Sequence, residues 1–192
     1  MPTREQVLAP ANAVTAAGLA MSVYGATNID ELSGVLWFGA GRVADVIDGP
    51  VARYTDTASP FGAKFDAAAD KIAVAFGCYF AWIEEVAPQP IIATIVGVNL
   101  LNAAANVYLE YAGAEPETDD AGKTTMAAFM ASMGSFALSN ALESTFFEGV
   151  AVGSFLAGLP YAAKSSGRYA KHAWQERQHS REPKQNHKRP KR

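Results

Sequence analysis

The sequence has a single cysteine, Cys78, and three histidines, all of which follow residue 163. One cysteine excludes an internal disulfide bond and any metal site built from several thiolates. Because the histidines are His172, His179 and His187, the first 163 residues also lack an imidazole ligand. A metal site in that part of the chain would therefore use oxygen ligands, which hard divalent cations prefer.

Basic residues are also scarce before residue 164, where six Lys and Arg stand against seventeen Asp and Glu. From Lys164 onward the balance reverses, with ten basic residues and two acids. We expect residues 1–163 to form one domain and residues 164–192 to form a basic cytoplasmic tail, partly disordered. The tail either attracts anionic lipid headgroups or is a solvated terminus, and no nucleic-acid partner is expected.

Long apolar segments indicate a membrane protein, since a membrane span needs roughly 20 largely apolar residues. Most of these segments are rich in Ala and Gly, which let transmembrane helices approach closely. We therefore predict an all-α polytopic integral membrane protein with six transmembrane helices, and the alternative is a soluble helical bundle. The predicted segments are 6–29, 32–54, 60–83, 86–109, 124–142 and 149–163.

The connections between these segments predict the orientation. The first, third and fifth connections contain acids but no Lys or Arg, whereas the alternate ones carry or adjoin Arg53, Lys64 and Lys123. Because basic residues favour the cytoplasmic side, both termini are expected to face the cytoplasm. The expected location is the cell membrane, with the second and fourth connections also cytoplasmic.

The stretch from Asp45 to Asp70 places five acids inside this apolar region. Its middle, TDTASP, consists of turn-forming residues, and the acid within it, Asp56, is expected to be solvated. Ser59 can cap a following helix, and Pro60 can occupy the first turn of that helix. The second and third segments are therefore predicted to form a tight antiparallel hairpin.

The hairpin would bring the remaining four acids together. Asp48 would lie level with Asp66, and Asp45 would lie level with Asp70. Helical spacing places each pair on one face of its helix. The sequence therefore predicts four converging carboxylates close to the cytoplasmic surface.

Four carboxylates near a membrane need compensation, because each unpaired charge costs on the order of 3 kcal/mol there. Divalent cations provide it, and oxygen ligands favour Mg²⁺ or Mn²⁺ over Zn²⁺, with Ca²⁺ a further option. Four carboxylates are about the number that a two-metal site uses. The neighbouring Gly49, Ala52 and Gly62 leave space for a bulky ligand, and Arg53 offers a fork for a phosphate or carboxylate.

These residues form the pattern D-x-x-D-G-x-x-A-R, a gap of eight, then G-x-x-x-D-x-x-x-D, without a departure. The pattern resembles the signature of the CDP-alcohol phosphotransferases, membrane enzymes that make phospholipids. Six helices and the size of the chain agree with that family. The signature positions are Asp45, Asp48, Gly49, Ala52, Arg53, Gly62, Asp66 and Asp70.

The resemblance implies an enzyme in which an acceptor hydroxyl attacks the β-phosphorus of a CDP-linked donor and expels CMP. It implies a homodimer whose active-site cavity faces the cytoplasm and holds two Mg²⁺ or Mn²⁺ ions. The implied metal ligands are the four signature aspartates, and Asp70 is also the implied general base. The implied CDP site is lined by Gly49, Ala52, Arg53 and Gly62.

Two shorter motifs bear on the acceptor. FDAAADK, residues 65–71, resembles the D-P-x-A-D-K segment of phosphatidylglycerophosphate synthases, although Ala67 replaces the proline. GKTT, residues 122–125, resembles their G-K-x-K-T motif without its second lysine. Gly18, where those synthases carry arginine, is closer to enzymes that use inositol phosphate or amino alcohols. We therefore expect CDP-diacylglycerol and sn-glycerol 3-phosphate as substrates, and leave another acceptor open.

An anionic acceptor needs cations near the acids. Lys64, Lys71 and Lys123 are the candidates, although Lys123 equally fits an anchor at the membrane interface. Arg42 lies one turn before Asp45 and is expected to balance the acids rather than bind the acceptor. Two rival functions remain, a membrane prenyltransferase and a cation-conducting protein without enzymatic activity.

Overall fold

The computed structural model describes residues 3–112 and 120–179. Within these residues every regular element is a helix and no strand occurs, which confirms the all-α prediction. The greater part of the acidic fourth connection and the last residues of the basic tail, 180–192, lie outside the described residues. The helices are α1 (Arg4–Val7), α2 (Pro10–Ala26), α3 (Leu32–Tyr54), α4 (Pro60–Ile83), α5 (Gln89–Tyr111), α6 (Asp120–Leu142) and α7 (Thr145–His179).

Helices α3 and α4 begin and end where the sequence predicts. Ser59 caps α4, because its Oγ accepts a hydrogen bond of 3.1 Å from the backbone N–H of Gly62. Pro60 occupies the first position of the helix, where its missing N–H costs nothing. Asp56 is exposed in the connecting turn and has a left-handed backbone, with φ 53°.

Helix α7 extends further than the predicted sixth segment. It runs without interruption from Thr145 to His179 and so crosses the boundary expected after residue 163. The first half of the basic tail therefore continues the last helix of the domain.

Two helical stretches are long and apolar enough to cross a membrane by length and composition, Gln89–Tyr111 in α5 and Thr145–Gln175 in α7. The other long helices among the described residues do not meet that test. Helix α2 has only 17 residues, and α3 carries Arg42 and Arg53 together with two of the acids. Six spans therefore remain a prediction.

The six long helices, α2 to α7, form two groups of three, and the short α1 contacts α4. Helix α2 packs extensively against α3 and also against α4, while α7 packs against α6 and α5. Contacts of α3 with α6 and of α4 with α5 join the two groups. Glycines bring α2 and α3 close together: a Cβ at Gly25 would lie 2.2 Å from the backbone nitrogen of Phe38. This agrees with the close helix packing expected from the Ala- and Gly-rich segments.

The prediction that α3 and α4 pack as a tight hairpin was wrong, because these two helices touch each other at few places. Each packs against α2 instead. Farther from their connecting turn, the ring of Phe38 from α3 lies between the two helices, against Gly77 of α4. An apolar cavity of about 380 Å³, lined by α3, α4 and α6, also lies there. The two helices therefore diverge from their connecting turn, and the acids lie in the space between them.

Candidate metal and substrate site

Three of the four predicted acids meet in one cluster. Asp45 and Asp48 of α3 and Asp66 of α4 each offer a carboxylate oxygen, and these oxygens lie within 4.8 Å of one another. Asp48 is only 5% exposed, whereas the other two are half-buried. We refer to these three residues as the acid cluster. Its donors are all carboxylate oxygens, a set that fits a hard divalent cation.

The fourth acid, Asp70, is connected to the cluster through Arg42. Nη2 of Arg42 donates to Oδ1 of Asp70 at 2.5 Å and to Oδ2 of Asp45 at 2.9 Å. Asp45 and Asp70 therefore lie level with each other, as the sequence predicts, but a guanidinium group stands between them. The expectation that Arg42 balances the acids is confirmed.

Thr15 of α2 is a site residue that sequence reasoning missed. Its Oγ1 donates to Oδ2 of Asp48 at 2.5 Å, and both residues are buried. The same hydroxyl lies 3.1 Å from the carbonyl of Ala11, so its single hydrogen has two possible acceptors. The available signal was the helical spacing of three polar residues, Asn12, Thr15 and Ser22, in an otherwise apolar segment.

We expect Thr15→Val to destabilise the protein, because the buried carboxylate of Asp48 loses its donor from α2. A hydrogen bond to a charged group is worth roughly 1.5–3 kcal/mol, and the free energy of unfolding in detergent should fall by about that amount. Thr94→Val is the matched control, since the Thr94 hydroxyl donates only to the carbonyl of Pro90 in its own helix. Equal losses in the two variants would contradict a special role for Thr15.

The small signature residues have different surroundings. A Cβ added to Gly49 would meet only Nη1 of Arg53, at 3.6 Å, so Gly49 faces open space. A Cβ at Gly62 would lie 3.0 Å from Oδ1 of Asn12 and 3.3 Å from Oγ of Ser59, so Gly62 is closely packed. Ala52 is half-buried near the end of α3, and Arg53 is exposed in its last turn.

Asn12 explains the close packing at Gly62. Its Nδ2 donates to the backbone carbonyls of Gln6 and Val7, at 2.7 Å and 3.2 Å. The buried amide of Asn12 thereby closes the end of α1 and presents its oxygen to α4. The structure thus shows Asn12 capping the C-terminal end of α1.

A cavity of about 500 Å³, which we name the Asp70 cavity, opens beside the fourth acid. Its polar lining comes from Arg42 and Asp70 together with Lys123 of α6 and Tyr169 of α7. Lys123 is also 3.5 Å from Asp120, one turn earlier in α6. The apolar cavity between α3 and α4 adjoins it, and Arg42 lines both.

The structure separates the three lysines proposed as acceptor ligands. Lys123 lines the Asp70 cavity, whereas Lys64 and Lys71 are exposed on α4 and line neither of the two cavities. The four acids and Arg42 thus form one continuous site, and Lys123 is the lysine that approaches it.

A family model described as CDP-alcohol phosphatidyltransferase matches residues 8–159. The match includes the whole of α2 to α6, with all eight signature residues, and most of the apolar part of α7. No curated protein and no solved structure matches significantly. Because the family model covers more than half of the chain, the protein belongs to the CDP-alcohol phosphatidyltransferase family.

Proposed function

We propose that this protein transfers the phosphatidyl group of CDP-diacylglycerol to sn-glycerol 3-phosphate, forming phosphatidylglycerophosphate and releasing CMP. The family catalyses transfer of phospholipid headgroups with a CDP-alcohol as donor, and its members are transferases of substituted phosphate groups. The choice of substrates is our proposal. The observation that carries it is that Asp70, Arg42 and Lys123 line one cavity, while Arg42 also links Asp70 to Asp45 of the acid cluster.

Asp45, Asp48, Asp66 and Asp70 are the proposed ligands of two divalent ions, Mg²⁺ or Mn²⁺. The family uses divalent metals, and the three oxygens of the acid cluster lie within 4.8 Å of one another, close enough to hold one such ion. Bound ions would neutralise the negative charge on the pyrophosphate and on the departing CMP.

The proposed CDP site is formed by Gly49, Ala52, Arg53 and Gly62. Gly49 supports this assignment because its missing side chain serves no packing contact in the described structure. The open space above it lets a pyrophosphate approach the helix backbone. The exposed guanidinium of Arg53 lies at the edge of that space, where its planar fork suits a phosphate.

The Asp70 cavity is the proposed acceptor site. Lys123 and Arg42 give it two cations, which favour an acceptor that carries a phosphate of its own. Lys64 and Lys71 are left with the weaker role of attracting anions to the surface. With the acceptor in this cavity, its hydroxyl attacks the β-phosphorus, Asp70 accepts the hydroxyl proton, and the bond to CMP breaks.

The proposed setting is the cell membrane, with six spans, a homodimer and both termini in the cytoplasm. The family is generally membrane-embedded, and the two apolar helices support that location. The basic residues after Lys164 support cytoplasmic placement of the C-terminal end. Small residues exposed on α4 and α5, such as Ala68 and Gly97, suit a dimer interface.

CMP release from CDP-diacylglycerol tests this function. Purified protein with Mg²⁺ or Mn²⁺ is given glycerol 3-phosphate, inositol phosphate, serine or no acceptor in separate reactions. We expect the fastest release with glycerol 3-phosphate and little release without metal. Faster turnover with inositol phosphate would reassign the acceptor within the same chemistry. Turnover of a prenyl diphosphate, or metal flux without CMP release, would overturn the proposed reaction.

A further inference from the structure

Arg42 is the residue that stands between the two halves of the acid site. A single nitrogen, Nη2, contacts Asp45 at 2.9 Å and Asp70 at 2.5 Å, and so joins α3 to α4. The Arg42 side chain is 21% exposed, and the carboxylates it bridges are 22% and 39% exposed. The guanidinium is therefore held in a partly buried position by two carboxylates on different helices.

A bridging divalent cation and the guanidinium cannot share this position. Both would draw on the negative charge of the same two carboxylates, Asp45 and Asp70, and two positive charges about 4 Å apart repel strongly outside bulk water. Asp45 also belongs to the acid cluster, whereas Asp70 does not. Bringing Asp70 and the cluster onto one pair of metal ions therefore requires Arg42 to leave its present partners.

The structure offers Arg42 a place to move. Its side chain lines the Asp70 cavity of about 500 Å³, which also contains Lys123. A guanidinium released from its two carboxylate partners and turned toward Lys123 in that cavity would add a bidentate phosphate ligand beside the ammonium group of Lys123. The guanidinium of Arg42 would then neutralise the acids before metal binding and bind an anionic acceptor after it.

We propose that Arg42 is an exchangeable counter-ion: a divalent cation displaces it from Asp45 and Asp70 toward the Asp70 cavity, where it binds the anionic group of the acceptor. Metal binding and acceptor binding are coupled through this one side chain. The inference rests on the proposed function for the identity of that ligand, while the displacement itself depends only on metal binding. Arg42 is thus a positioning residue for the acids and a ligand for the acceptor.

The test is calorimetric titration of Mn²⁺ into the purified protein in detergent, for the parent, Arg42→Gln and Arg53→Gln. Arg42→Gln has no cation to displace, so its Mn²⁺ affinity should rise about tenfold, within the range typical of coupling between sites. Arg53→Gln removes the same charge near the acids without an ion pair, and its affinity should change less than about twofold. Unchanged or weaker binding in Arg42→Gln, or equal tightening in both variants, would overturn the displacement.

A second titration measures glycerol 3-phosphate affinity with and without Mn²⁺. Mn²⁺ should raise that affinity in the parent and leave it nearly unchanged in Arg42→Gln, and an equal rise in both would overturn the coupling. If Arg42→Gln does not fold, Arg42→Lys retains the charge without the fork and should still bind Mn²⁺ more tightly than the parent; weaker or equal binding would overturn the displacement.

These measurements separate the inference from the proposed function. A parent enzyme that releases CMP, paired with no tightening in Arg42→Gln, refutes the displacement alone. Tightening of Mn²⁺ binding without CMP release from any acceptor supports the displacement and refutes the proposed reaction.

Discussion

Asp70→Asn is expected to lower CMP release by roughly 10²- to 10⁴-fold, the range for loss of a general base. The asparagine has almost the same shape as the aspartate, and its amide oxygen can still accept a hydrogen bond from Arg42, the partner of Asp70 in the structure. The amide cannot take the proton of the acceptor hydroxyl at neutral pH, however. The variant should therefore remain folded, with an unfolding temperature in detergent close to that of the parent.

Asp56→Asn is the matched control for this prediction. Asp56 is exposed in the α3–α4 turn with φ 53°, a backbone conformation that asparagine also adopts readily. Its CMP release should equal that of the parent within about twofold, as is usual for a solvated surface position. Titration with Mn²⁺ then separates two roles of Asp70: retained Mn²⁺ binding with lost turnover indicates a base, and lost binding indicates a ligand. Equal rates for Asp70→Asn and the parent would remove both assignments.

The local parts of the fold were readable from the sequence. The bounds of α3 and α4 follow from turn residues, from the Ser59 cap and from Pro60, all of which act within a few residues. The end of α7 was harder to predict from the sequence, because its last turns are as polar as a solvated tail. Their helical continuation beyond residue 163 is not encoded in an apolar pattern.

The site was predictable to the extent that helical spacing and the short connection determine it. Those two features were enough to place Asp48 with Asp66 and Asp45 level with Asp70. They could not give the separation of α3 from α4, because it depends on the packing of α2 against both helices. The same packing brings Thr15 to Asp48 across 33 positions of sequence, a contact that no local pattern contains.

Gly49→Ala is expected to lower kcat/KM for CDP-diacylglycerol on the order of 10²-fold, the cost of misplacing a reacting group by about 1 Å. The new methyl group would project into the open space beside Gly49, where the pyrophosphate is proposed to approach the backbone of α3. Its nearest neighbour in the protein would be Nη1 of Arg53, at an ordinary contact distance of 3.6 Å. The unfolding temperature should therefore not fall, since alanine is a better helix former than glycine.

Two other glycines distinguish loss of substrate space from loss of packing. Gly153→Ala adds a methyl group to α7 where no atom lies within 4 Å, so both CMP release and unfolding temperature should be preserved. Gly41→Ala would place its Cβ 2.2 Å from Oγ of Ser22 and 2.5 Å from the carbonyl oxygen of Gly18, and should unfold at lower temperature. If Gly49→Ala behaves like Gly153→Ala, the space beside Gly49 is not used by the substrate. If it unfolds at lower temperature, as expected for Gly41→Ala, the loss of activity reflects damage to helix packing. Loss of activity with an unchanged unfolding temperature indicates instead that the methyl group meets the substrate rather than the protein.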